Sequence, residues 1–115
     1  MRLNSRRDKD VLIVELCGEL DHHHADEARE RLDEMLEDTS IKHMIFDLSK
    51  LQFMDSSGIG VFLGRYKTIA RRSGQACLAA INPQLDRILD ISGLYKILKV
   101  YDSVGQAIKG IREVQ

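Results

Sequence analysis

Phe53-Met54-Asp55-Ser56-Ser57-Gly58-Ile59-Gly60 is the stretch whose reading decides the fold. On its N-terminal side lies a strand-like run, His43-Met44-Ile45-Phe46-Asp47-Leu48. On its C-terminal side apolar residues return at helical spacing: Ile59, Phe62 and Leu63, Tyr66, Ile69 and Ala70. The stretch is therefore a strand-to-helix connection that ends in a helix N-terminus. Short hydroxyl side chains suit that place, because their oxygens accept from N–H groups that have no partner inside the helix. The same N–H groups and the helix dipole favour an anion there, phosphate above all.

Two serines, an acidic neighbour and two glycines at a helix start allow several readings. The plainest is a cap followed by a tight turn. A phosphate-binding loop fits less well, since Gly58-x-Gly60 lacks a third glycine at the dinucleotide spacing and no Gly-Lys-Ser/Thr follows. A nucleophile elbow fits less well still, because Met54 stands where Gly-x-Ser-x-Gly needs its first glycine. In the remaining reading a serine is itself modified, its hydroxyl presented on an exposed turn and its phosphate held by the helix N-terminus.

The segment from Phe53 through Val61, continuing with Leu63-Gly64-Arg65-Tyr66-Lys67, resembles the phosphorylation segment of SpoIIAA-type anti-sigma factor antagonists, the sporulation branch of the STAS-domain family. Gly18-Glu19-Leu20-Asp21-His22-His23 resembles that family's first loop. Asp90-Ile91-Ser92-Gly93-Leu94-Tyr95-Lys96-Ile97 resembles its C-terminal turn. The three segments fall in the family's order with similar spacing, so the resemblance spans nearly the whole chain. Asp-Ser-Ser-Gly alone would carry little weight.

At 115 residues the chain reads as one domain, residues 1–115, with a core of its own. Its 43% apolar and 30% charged residues are those of an ordinary globular protein, so disorder is not expected. A formal net charge of −1 offers no electrostatic case for nucleic acid or a membrane surface as the main partner. No apolar run approaches ~18 residues, and Met1-Arg2-Leu3-Asn4 does not open a signal peptide. Cys17 and Cys77 lie in apolar strand-like runs and read as buried free thiols. A cytoplasmic location is expected.

Val11 to Cys17 forms a β-branched strand that Gly18 ends, and residues 1–7 supply a short edge strand before it. A helix follows Asp21-His22-His23-His24, with Ala25, Ala28, Leu32, Met35 and Leu36 inward and Glu27, Arg31 and Glu34 outward. Ile41 to Leu48 is the next strand, apolar enough to be buried on both faces. The central helix stops at Arg71-Arg72-Ser73-Gly74, basic residues followed by a glycine able to take positive φ. Ala76 to Ile81 is a buried strand. Asn82-Pro83 caps and opens a third helix with Leu85, Ile88 and Leu89 inward, and Gly93 closes it. Ile97 to Tyr101 is a last strand, and Ser103-x-x-Gln106 is a capping-box signature for a final helix carrying Ala107, Ile108 and Ile111.

Strands alternating with helices imply βαβ units and a mainly parallel sheet. With the resemblance, the expected fold is α/β: a single STAS-like domain whose mixed, mostly parallel sheet has four to five strands, with about four helices. Parallel strands share the edge where their C-terminal ends lie. If the strands ending near Cys17, Leu48 and Ile81 are parallel, the loops Glu19–His23, Ser49–Ser57 and Asn82-Pro83 meet there. Asp21 and Ser56 would then share one surface.

His22-His23-His24 points three rings in different directions, and no histidine recurs four residues on, so a metal site is not expected. Ser56, Asp21 and His22 or His23 could be drawn as a hydrolytic triad, but nothing in the sequence fixes a nucleophile–base contact or supplies an oxyanion hole, so one is not expected. Arg65, Lys67, Arg71 and Arg72 read as the solvated face of the central helix. Gly60 and Gly64 sit on one side of it at a cost in helix propensity, which close approach of another backbone would explain.

The resemblance implies a binding module without catalysis or cofactor. Unmodified, such a protein binds an anti-sigma factor that is also a serine kinase, carrying ATP or ADP, and so frees a sporulation sigma factor. Phosphorylation of the antagonist breaks the complex, and a separate serine phosphatase resets it. Carried over residue by residue, Ser56 is the phosphoacceptor, Asp21 a partner-binding carboxylate and Gly58 part of the presenting loop. Ser57 and Ile59 complete the contact segment, with Ser57 also assigned to capping. The alternatives are an antagonist in a stress-response sigma pathway, or an enzyme or phosphocarrier using the loop for phosphoryl transfer.

Overall fold

Long apolar and β-branched runs form the framework of the computed structural model, which describes residues 1–113. In chain order it contains β1 (Arg2–Asp8), β2 (Val11–Leu20), α1 (Ala25–Met35), β3 (His43–Asp47), β4 (Leu51–Met54) and α2 (Ser56–Arg71). Then come β5 (Ala76–Ala79), a 3-10 turn (Pro83–Leu85), α3 (Asp86–Ile91), a second 3-10 turn (Leu94–Lys96), β6 (Lys99–Tyr101) and α4 (Val104–Glu113). The main sheet has the order β1-β2-β3-β5-β6, and β4 pairs with β2 beside it. Only β1 runs antiparallel to its neighbour. The expected single α/β domain with a mixed, mostly parallel sheet is present.

The strand count rises to six because Gly18 bends β2 instead of ending it. Its φ of +102° suits glycine, and the register shifts between Gly18 and Glu19. Beyond that bulge β2 leaves β3 and pairs with Leu51–Met54, matching Glu19 to Phe53 and Leu20 to Met54. Four residues with both ends buried show no alternation, so the segment reads as loop until its partner is known.

Burial follows the two-residue period of a strand. Leu12, Val14, Leu16, Met44, Phe46, Leu48 and Leu78 face the main core with α1, α2 and α3. Phe46 and Phe62 meet there edge to face, their ring centroids 4.9 Å apart. Val11, Ile13, Ile45, Cys77 and Ala79 face a smaller core closed by Ala107 and Ile111 of α4. The division has a topological cause. From β2 the order advances steadily through β3 and β5 to β6, so right-handed crossovers keep the first three helices on one face. Helix α4 follows the last strand, has no crossover to make, and covers the other.

Cys17 and Cys77 are both free. Cys77 is buried, and desolvation pushes its thiol up to about 12. Cys17 is only half-buried and lies near Glu15, at 3.4 Å.

Several side chains differ from the expected roles. Arg65 is not solvated: it is 8% exposed, with Nε 3.1 Å from Asp33 Oδ1 across the α1–α2 contact. Arg72 donates to the backbone carbonyls of Leu36 and Ile41 and so ties the end of α1 to the end of α2. No backbone approaches the two central glycines. A Cβ at Gly60 would lie 3.7 Å from Arg29 Nη2, and one at Gly64 would meet nothing within 4 Å. At the end of α2 it is Ser73 that takes positive φ, +60°, while Gly74 lies against the carbonyl oxygen of Lys42, where a Cβ has no room.

His43 is buried beside Asp10, and Gln75 N–H donates to its Nδ1 at 2.9 Å. Burial holds the imidazole below its usual range against the attraction of Asp10. A proton is therefore taken up by the unfolded chain before the folded one. Stability is whole above the usual histidine value near ~6.5 and declines as pH falls below it. Urea titrations at pH 7 and pH 5 should show this decline, and His43→Gln should flatten it. An equal slope in the variant would place the decline elsewhere.

Candidate functional site

β2 and β4 end side by side at Leu20 and Met54, and Asp55 N–H donates to Leu20 O at 3.3 Å. The two chains that leave this pair carry Asp21 and Ser56. Asp55 joins them: its Oδ1 accepts from Ser57 N–H at 2.8 Å and its Oδ2 from His22 N–H at 3.0 Å. Asp55 is thus the N-cap of α2, in extended conformation with φ −111° and ψ −171°. The assignment of Ser57 to capping is corrected accordingly. Ser56 is the first helical residue and exposed; Ser57 is the second and half-buried. Asp, Ser and Ser are all good caps, and only the backbone decides among them.

Gly58 is buried in the first turn. A Cβ there would come within 3.0 Å of Met54 Cε and 3.1 Å of Leu20. The absent side chain lets the serine-bearing turn lie directly on the ends of β2 and β4. Ile59, the last of the expected contact residues, is half-buried beside it.

Asp21 has more local work than a loop carboxylate. Its Oδ1 accepts from His23 N–H at 3.0 Å and His24 N–H at 3.2 Å, and lies 2.7 Å from His24 Nδ1. Its carbonyl accepts from His24 and Ala25. Desolvation acts to raise its pKa, but the contacts from His24 and the backbone outweigh it and keep the carboxyl below the usual range. The third histidine is accounted for here: His24 pairs with Asp21 at the entry to α1. His22 and His23 are exposed, their ring centroids 5.9 Å apart. Among the described residues no three His, Cys, Asp or Glu side chains are grouped to hold a metal.

The third loop joins the same edge. Asn82 caps the 3-10 turn by accepting from Gln84 N–H at 3.2 Å, and its Nδ2 donates to Leu51 O at 3.1 Å. The three loops expected to converge do so, with Asp55 linking the first to the second and Asn82 the second to the third. One feature escaped the sequence. Phe53 is 49% exposed and Ile91 73%, and with Met54, Leu85, Arg87 and Ile88 they line an open groove of about 310 Å3 beside the loop. Phe53 lies on the outer side of β4, so finding it required recognising that strand.

The arrangement can present a hydroxyl, surrounded by fixed backbone, to another protein. It holds no base aimed at that hydroxyl among the contacts described. Residues 2–107 match the STAS domain family model, and the chain belongs to that family. It is 42% identical over 114 residues to the anti-sigma F factor antagonist of Paenibacillus polymyxa, covering 99% of this chain and 97% of that one. It is 31% identical over 100 residues, 87% of each chain, to the anti-sigma-B factor antagonist of Listeria monocytogenes serovar 1/2a. The anti-sigma factor antagonist SpoIIAA in its unphosphorylated form superposes with a TM-score of 0.84 at 26% identity, covering 97% of both chains. No helix among the described residues is long and apolar enough to cross a membrane.

Proposed function

We propose that this protein is an anti-sigma factor antagonist of a sporulation pathway, a cytoplasmic binding module switched by phosphorylation of Ser56. The unphosphorylated form binds an anti-sigma factor that is also a serine kinase holding ATP or ADP, and so releases the sigma factor. A serine phosphatase reverses the modification. The observation that carries the reading is the placement of Ser56: exposed, first in α2, on an edge whose loops Asp55 pins together. The likeness to an anti-sigma F factor antagonist along almost the whole chain points to the sporulation branch. Asp21, Ser57 and Ile59 form the surrounding contact surface, the buried Gly58 seats that turn on β2 and β4, and Asp21 also anchors the entry to α1.

The switch needs no change of fold. A phosphoserine adds about −1.5 to −2 charges beside Asp55 and Asp21. In a desolvated interface with partner carboxylates or nucleotide phosphates, such like-charge contact costs several kcal/mol. A loss of ~2.8 kcal/mol already weakens binding about a hundredfold.

Incubation with the organism's anti-sigma F factor and ATP, followed by mass-spectrometric site mapping, should place the phosphate on Ser56. Ser56→Ala should remain unlabelled and still bind, and phosphorylation of the unaltered chain should weaken binding on the order of a hundredfold. Phosphate on Ser57, or unchanged affinity after phosphorylation, overturns the reading. The resemblance to an anti-sigma-B factor antagonist supports a second reading with the same chemistry in a stress-response pathway. Titrating anti-sigma F and anti-sigma-B factors side by side separates the two. Labelling by ATP alone, without a kinase, would instead indicate a phosphoryl-transfer protein.

A further inference from the structure

We propose that Arg29 of α1 is a binding group for the phosphate of phosphorylated Ser56, exchanging its pairing with Asp26 for one with the phosphate. The inference rests on Ser56 being the modified residue. The helix start offers the phosphate less than it first suggests, because Ser57 N–H is already committed to Asp55 Oδ1 and Gly58 N–H to Asp55 O. Asp55 itself is a fixed negative charge at that point. A cation from outside α2 is therefore needed to hold a dianion.

Arg29 is placed to supply it. Residues 56 and 60 lie four apart and share one helix face. A Cβ at Gly60 would be 3.7 Å from Arg29 Nη2, so the guanidinium lies over α2 one turn beyond Ser56. A helical Cβ leans toward the N-terminus, which is toward Ser56. Gly60 puts no side chain in the path between them. This gives a reason for the glycine that no neighbouring backbone provides.

Arg29 is also free to turn. Its guanidinium pairs through Nη1 with Asp26 three residues earlier on α1, and that carboxylate is 88% exposed. Such a surface pair contributes little, whereas an arginine can hold a phosphate through two parallel N–H···O bonds. Nearby, the buried Arg65 feels Arg29 as a like charge: burial, chiefly, and then Arg29 lower its pKa, against Asp33. A dianion drawn against Arg29 relieves that repulsion. Asp55 caps the same turn and Asp21 begins the adjoining loop, so Arg29 is the cation set against these carboxylates.

The test uses the full chain with phosphoserine installed at position 56 during synthesis, so no kinase is involved. Phosphorus NMR follows the second ionisation of the phosphate across pH. Arg29→Ala should raise that pKa by roughly half a unit, since a nearby cation favours the dianion. Arg29→Lys should recover part of the shift, and Asp26→Asn should lower the pKa further by removing the competitor. Arg31→Ala, which takes the same charge from another face of α1, should leave it unchanged. An unaltered pKa in Arg29→Ala, or an equal shift in Arg31→Ala, overturns the proposal. The proposed switch fails separately, if the phosphorylated chain binds its anti-sigma factor as tightly as the unmodified one.

Discussion

Leu78→Asp is expected to abolish cooperative folding. Leu78 is fully buried in β5, paired with Phe46 on one side and Val100 on the other. The substitution removes a large core side chain, a change that in other cores costs 2–5 kcal/mol, and leaves a carboxylate without a partner. Together these approach the ~5–15 kcal/mol that holds a typical domain folded. Circular dichroism should show no thermal transition, while Leu78→Met should melt within a few degrees of the parent. A Leu78→Asp protein with the parent's melting temperature would mean that β5 is not a central strand.

The second large effect comes from one methyl group. A Cβ at Gly74 would collide with the carbonyl oxygen of Lys42, just before β3. That oxygen belongs to backbone held by Asp10, whose carbonyl accepts from Lys42 N–H at 2.8 Å, so it has little room to yield. Gly74→Ala should destabilise the domain by about 3 kcal/mol, the upper end for overpacking. Ser73→Gly, one residue earlier, should do the reverse and add up to about 1 kcal/mol, because Ser73 now occupies the left-handed region at φ +60°. Paired urea titrations read both. Equal effects at the two positions would show that conformation, not contact, governs this turn.

The turn also illustrates what the sequence reveals. The helix end is readable from Arg71-Arg72-Ser73-Gly74, but the reason for the glycine is not, because Lys42 is 32 positions away. Elements whose burial repeats with their own period were legible: β2, β3, β5, α1 and α2 all fell within a few residues of the expected spans. Strand β4 was not, since its inward positions are set by a bulge in another strand. The convergence of three loops followed from parallel topology alone. Which side chain welds them together did not. Asp55 and Ser57 compete on equal terms until the backbone is seen, and the pairing of Asp21 with His24 depends on how sharply α1 begins. Arg65 and Arg72 carry the same message, as charged residues whose partners lie on other elements.

Asp55, with one oxygen on each loop, has a consequence for the timing of recognition. Ordering a flexible segment costs about 1–2 kcal/mol of backbone entropy per residue, and a partner that met mobile loops would have to supply it. Here the two hydrogen bonds of Asp55 already join the loops, so less contact energy need be diverted into shaping the surface. Under the proposed switch, a partner would meet loops that Asp55 already joins. Phosphorylation of Ser56, if it is the mark, would then change the charge of that surface and the pairing of Arg29 while leaving the backbone of the two loops as it is.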